Sequence, residues 1–184
     1  GMGGREAPHL EIIMREELDA KLVEKYPLLF RDRYAPMTET AMCWGFCCGD
    51  GWYDLIDTLC SLLTSKYLQA KDRYESAKEY FDEDGKYPWG KPITAEEVEE
   101  RRLVMEEEAD KVPVVVQVKE KFGGLRFYVN AATDEHYNYI NFAESMSYRI
   151  CEVCGSPGKR YTDGWHQVLC ETHAKEDGRE LENE

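Results

Sequence analysis

VVVQVKEKFGGLRFYV, residues Val114–Val129, places apolar side chains at every second position on either side of a glycine pair. Val114, Val116 and Val118 alternate with Val115, Gln117 and Lys119, and Leu125, Phe127 and Val129 alternate with Arg126 and Tyr128. A period of two interrupted by Gly123-Gly124 is the pattern of a β-hairpin. With the two glycines as a two-residue turn, Phe122 faces Leu125, Glu120 faces Phe127 and Val118 faces Val129 on one side of the ribbon. The other side then carries Lys119, Lys121, Arg126 and Tyr128.

The segments before and after this hairpin read as helices. Leu10, Ile13, Leu18, Leu22 and Tyr26 recur at helical intervals up to Pro27, and Trp52, Leu55, Ile56, Leu59, Leu63 and Tyr67 share one face of a central helix for which Asp50 is a candidate N-cap. A polar continuation is expected to prolong that helix to Glu83. Thr94 and Glu97 have the spacing of a capping box for a helix through Lys111, and Thr133 or Asp134 can cap another in which Tyr139, Phe142, Ala143, Met146 and Ile150 align. Residues 31–51, rich in glycine, aromatics and cysteine, read as an ordered but irregular connection. The expected fold class is α+β: helices packed on a small antiparallel sheet over residues 1–149, with a charged helical stretch over 66–111.

The last segment, 150–184, has its own chemistry. Cys151-Glu-Val-Cys154 and Cys170-Glu-Thr-His173 are two ligand pairs at a spacing typical of zinc sites. Two short strands around Thr162-Asp163-Gly164 and a helix from Glu171 would give a turn, a hairpin and a helix in treble-clef order, with Trp165 packed over the site. Cys151, Cys154, Cys170 and His173 fill a tetrahedron, so one structural Zn2+ is expected and not a catalytic ion with an open position. Seven cysteines preclude complete internal disulfide pairing, which favours metal ligands and buried thiols.

The 184 residues carry 37 acidic and 23 basic side chains, a formal charge of -14, and -8 of it falls in residues 66–111 and 175–184. A field of that sign disfavours nucleic acid and anionic lipid as partners of the whole surface and favours a protein partner. No membrane-spanning run and no secretory pattern stand in the sequence, so a cytoplasmic location is expected.

As a set, Cys48-Gly-Asp-Gly-Trp-Tyr-Asp-Leu-Ile56, Val118-Lys-Glu-Lys-Phe-Gly-Gly-Leu-Arg-Phe-Tyr-Val129 and the zinc-ligand segment with Gly164-Trp165 resemble an uncharacterised family of small bacterial and phage proteins, over roughly residues 25 to 174. The resemblance implies a bacterial or prophage setting and assigns no catalytic residue. Other candidates come from the residues alone. Glu120 sits on the apolar side of the hairpin, where burial would raise its pKa and make it a possible functional acid. Lys119, Lys121, Arg126 and Tyr128 form a possible binding surface for phosphate and base. Asp50, Asp54 and Asp57 are a candidate cation cluster, while Cys43, Cys47, Cys48 and Cys60 match no standard ligand spacing. The leading expectation is a non-enzymatic protein-interaction module. The alternatives are a nucleic-acid-binding protein using the basic hairpin face, and an enzyme centred on Glu120 or the Asp50 cluster.

Overall fold

The structure, a computed structural model, describes residues 12–179. It is α+β, with six α-helices and two small sheets among the described residues. The N-terminal helix α1 covers Glu16–Lys25; Leu10 of the expected apolar face lies outside the described residues, and Ile13 is exposed. Leu22 is buried, and Asp19 is buried beside it because Arg33 grips its carboxylate with Nε at 3.0 Å and Nη2 at 2.8 Å. The same guanidinium donates to the carbonyls of Met42 and Cys43, so one ion pair ties α1 to the connection that follows.

That connection contains a strand that the periodicity does not reveal. β1, Phe46–Cys47, pairs in parallel with β2, Val114–Lys121, through Phe46↔Val118 and Cys47↔Lys119. Two residues are too few to show a period, and Phe46 earns its place by packing edge-on against Phe30 at 5.1 Å with no solvent exposure. The sheet is therefore mixed, in the order β1-β2-β3, with β3 at Gly124–Asn130 antiparallel to β2.

The hairpin register differs from the expected one. Lys121 pairs with Gly124, Glu120 with Leu125 and Val118 with Phe127, so the turn is Phe122-Gly123 and not Gly123-Gly124. Both turn residues have positive φ, 53° and 89°, as a type I′ turn requires. Gly124 is held in the strand by a different demand: a Cβ there would lie 2.4 Å from the Tyr148 ring. A bulge between Val115 and Gln117 also reverses the alternation, so Val115, and not Val116, enters the core with Val118, Leu125 and Phe127.

Against this sheet lies α2, Tyr53–Leu63, with Ile56, Leu59, Cys60 and Leu63 buried behind Trp52. Burying each such aliphatic side chain contributes about 1.5–3 kcal/mol. Asp50 does not cap this helix; it opens a short 3-10 turn, and its carboxylate binds the backbone and guanidinium of Arg15. The helix breaks at Thr64, whose hydroxyl bonds back to the Cys60 carbonyl, before α3, Ser65–Glu83, begins. α4, Ala95–Asp110, packs on α3 and not over the hairpin, and together they form an arm with Ala70, Ala77, Tyr87 and Ile93 as its small interior. Thr94 caps α4 through the Glu97 amide, but the Glu97 carboxylate turns to Tyr87 and Arg101, leaving the capping box half made.

α5, Asp134–Ser147, is capped reciprocally by Thr133 and His136. Its buried face is Ile140, Ala143 and Ser147; Phe142, expected inward, is 67% exposed. The helix also closes the free edge of the sheet, because Ser147 Oγ and a Glu144 carboxylate oxygen accept the Leu125 and Phe127 amides at 2.9 Å each. Those two bonds explain the rotation, since they require Ser147 and Glu144 to face β3.

Candidate metal centre

α5 hands the chain to a reverse turn in which the Gly155 amide bonds the Cys151 carbonyl at 2.9 Å and the Cys151 amide bonds the Ser156 carbonyl at 2.7 Å. β4, Lys159–Tyr161, and β5, Gln167–Leu169, then form an antiparallel pair, and α6, Glu171–Glu176, follows at once. Cys170 is the N-cap of α6, its sulfur accepting the His173 amide. This order of turn, hairpin and helix brings Cys151, Cys154, Cys170 and His173 together, with all four ligand atoms within 4.8 Å of one another.

The spacing suits a tetrahedral ion. Bonds of ~2.3 Å to sulfur and ~2.0 Å to nitrogen imply tetrahedron edges of ~3.8 Å between sulfurs and ~3.5 Å between sulfur and nitrogen. Cys154 and Cys170 sulfurs are 3.8 Å apart, and His173 Nδ1 lies 3.2 Å from Cys170 Sγ and 3.7 Å from Cys151 Sγ. All seven cysteines are free of disulfides, so the three thiols are available as ligands. Hydrogen bonds from the Ser156 side chain and amide hold the Cys154 thiol down at about 6, which favours the thiolate that a metal needs; burial pushes Cys151 up. Tyr161, Leu169 and Ala174 pack beside Cys151, whereas Trp165, expected over the site, is 47% exposed.

The turn is seated on the main body through a residue that the sequence reading passed over. Glu152 is 1% exposed; its backbone carbonyl accepts the Gly51 amide and its carboxylate accepts the Gly49 amide, each at 2.8 Å. The contact is close enough to demand glycine: a Cβ on Gly49 would stand 2.2 Å from the Glu152 oxygen, and one on Gly51 2.1 Å from the Cys151 oxygen. Trp52 completes the seat with an indole N–H bond to the Ile150 carbonyl at 2.9 Å. The second carboxylate oxygen of Glu152 is buried without a hydrogen-bond partner among the described residues. Burial pushes this carboxyl up to about 7, opposed by the Gly49 amide and assisted by the charge of Glu120. A glutamate inside a Cys-x-x-Cys turn looks like a solvent position; only the paired glycines of Cys48-Gly-Asp-Gly-Trp52 signalled that some backbone had to come close.

The other candidates have separate fates. Glu120 lies half-buried on the core side of the hairpin, where its Oε1 accepts the Gly123 amide at 2.8 Å and so supports the turn. Lys119, Lys121, Arg126 and Tyr128 do share the opposite side, with Arg126 bonded to the Tyr148 hydroxyl at 3.3 Å. Asp50 and Asp57 are each paired elsewhere, Asp50 with Arg15 and Asp57 with Lys25 and Tyr26, and Asp54 is exposed. Cys48 and Cys60 are fully buried with thiols raised well above their ordinary range by burial, and the Cys43 sulfur bonds the Thr40 carbonyl. No helix among the described residues is long and apolar enough to cross a membrane. Comparison with protein-family models, with curated proteins and with solved structures returned no significant match.

Proposed function

We propose that Cys151, Cys154, Cys170 and His173 hold one structural Zn2+ in a treble-clef-like module, and that the protein is a non-enzymatic interaction protein. What carries the reading is the completeness of the ligand set. Three sulfurs and one nitrogen within 4.8 Å of one another, with three of their separations near tetrahedral edge lengths, would occupy every position that zinc offers and leave no site for a reacting water. The turn bearing the first two ligands is fastened to the body by Glu152, Gly49, Gly51 and Trp52, so the ion stabilises the joint between module and body.

The surface we assign to a protein partner is the α3–α4 arm. Residues 66–111 carry 14 acidic against 9 basic side chains, α4 buries none of its residues, and Leu103 and Val104 stand about half exposed among the carboxylates. Apolar side chains in an acidic field suit a partner that is apolar at the centre and basic at the rim.

Cobalt substitution tests the metal reading. Co2+ in the closed site should give the intense visible bands of tetrahedral thiolate coordination, unchanged on adding azide or cyanide. Bands that shift with those anions would reveal an exchangeable fourth position and return the enzyme reading to first place.

A further inference from the structure

The outer side of the hairpin and the small β4–β5 pair meet at one place, although they lie far apart in sequence. The Phe122-Gly123 turn rests against β5, with a Cβ on Gly123 calculated to stand 3.4 Å from the Gln167 amide nitrogen, and the Phe122 ring lies 6.2 Å from that of His166. Tyr148 joins the two surfaces. Arg126 of β3 donates to its hydroxyl, and the Arg160 guanidinium of β4 sits 5.4 Å over its ring. Four cations are thereby gathered on one patch: Lys119 and Arg126 as cross-strand partners, Lys121 beside the turn, and Arg160 from the metal module.

Two properties set this patch apart. None of Lys119, Lys121, Arg126 and Arg160 has a carboxylate within ion-pair distance among the described residues, although Asp and Glu outnumber Lys and Arg in the chain by 37 to 23 and most other described arginines are paired. Aromatic rings are also left outside: Phe122 is 63% and Tyr128 40% exposed. Phe122 holds a φ of 53°, which a bulky residue rarely adopts, at a position where asparagine or glycine would relieve strain. Its ring is not placed there by burial.

We propose that this patch binds single-stranded nucleic acid, its cations pairing with phosphates while bases stack on Phe122 and Tyr128. Unpaired cations interleaved with exposed rings are the recognition chemistry of a flexible strand, since every base offers a face for stacking and every link a charge. The overall charge of -14 does not forbid it. Of that charge, -8 falls in residues 66–111 and 175–184, and exposed charges farther apart than a Debye length of ~8 Å are largely screened from one another. This proposal stands independently of the partner assigned to the arm.

The test is fluorescence anisotropy of the zinc-loaded full chain with labelled single-stranded DNA and RNA oligonucleotides over a series of salt concentrations. Binding should weaken with salt at a log–log slope of about -2 to -3, as ~0.7 per neutralised phosphate for three or four contacts requires. Lys121→Glu should weaken binding about tenfold and flatten the slope. Phe122→Gly should weaken it about tenfold while raising the thermal midpoint, and these opposite directions separate lost stacking from lost folding. No binding at low salt overturns the proposal. So does equal binding of duplex, insensitivity to both variants, or preference for an acidic peptide such as polyglutamate over the oligonucleotides.

Discussion

Glu152 accepts the Gly51 amide on its backbone carbonyl at 2.8 Å, joining the metal-ligand turn to the start of the central helix from opposite ends of the chain. The side chain of the same glutamate binds Gly49, so one residue between two candidate ligand cysteines carries two bonds of the joint beside the Trp52–Ile150 bond. The candidate metal site, the docking of the module and the entry to α2 are for that reason one structural unit.

Gly51→Ala tests how closely the unit is built. The added methyl would meet the Cys151 carbonyl at 2.1 Å, and backbone on both sides leaves little that can yield. The substitution is expected to cost at least about 2 kcal/mol. Chemical denaturation of the zinc-loaded protein measures it, and Gly85→Ala is a contrasting site with open space around the Cβ, where only the strain of its φ of 69° is added.

Glu152→Ala should cost about 1–3 kcal/mol, because the Gly49 amide is left buried without its acceptor. Glu152→Gln keeps an oxygen for that amide and should be the milder change. Equal losses from the two, measured in urea at neutral pH, would assign the role of Glu152 to packing alone.

Cysteines should divide cleanly by role. Cys170→Ser should lower the metal content of the purified protein and loosen residues 150–179, whereas Cys60→Ala should leave the metal content unchanged and cost about 1 kcal/mol of stability from the core of α2. Elemental analysis alongside thermal unfolding distinguishes the two.

Acid should act through Asp57. Burial works against its charge, but the hydrogen bonds from Lys25 at 2.7 Å and Tyr26 at 2.7 Å outweigh it and hold the carboxyl below its ordinary range. A carboxylate depressed by folding contributes stability above its unfolded pKa and loses it as pH falls through the lowered folded value. The difference in urea midpoint between the native chain and Asp57→Asn should be constant at neutral pH and shrink below about pH 4.

The gathering of Cys151, Cys154, Cys170 and His173 was legible because Cys-x-x-Cys and Cys-x-x-His pairs are local and their spacing specific. The α+β class was legible because period two and period 3.6 each persist over many residues. What escaped depended on contacts distant in sequence. The hairpin slipped from Gly123-Gly124 to Phe122-Gly123 because Gly124 is required by Tyr148. α5 turned Ser147 and Glu144 inward to close the edge of β3, leaving Phe142 in solvent. β1 is two residues long and exists only through its partner. Glu152 looked like a surface residue until the glycines it rests on were placed beside it.

The most direct test is amide hydrogen exchange at Gly49 and Gly51, measured on protein with its zinc counted and again after the zinc is withdrawn by a chelator. One zinc per chain, with both amides protected while it is bound and exchanging freely once it is gone, is the predicted result. Protein that binds no zinc, or amides whose protection is indifferent to its removal, would contradict the account.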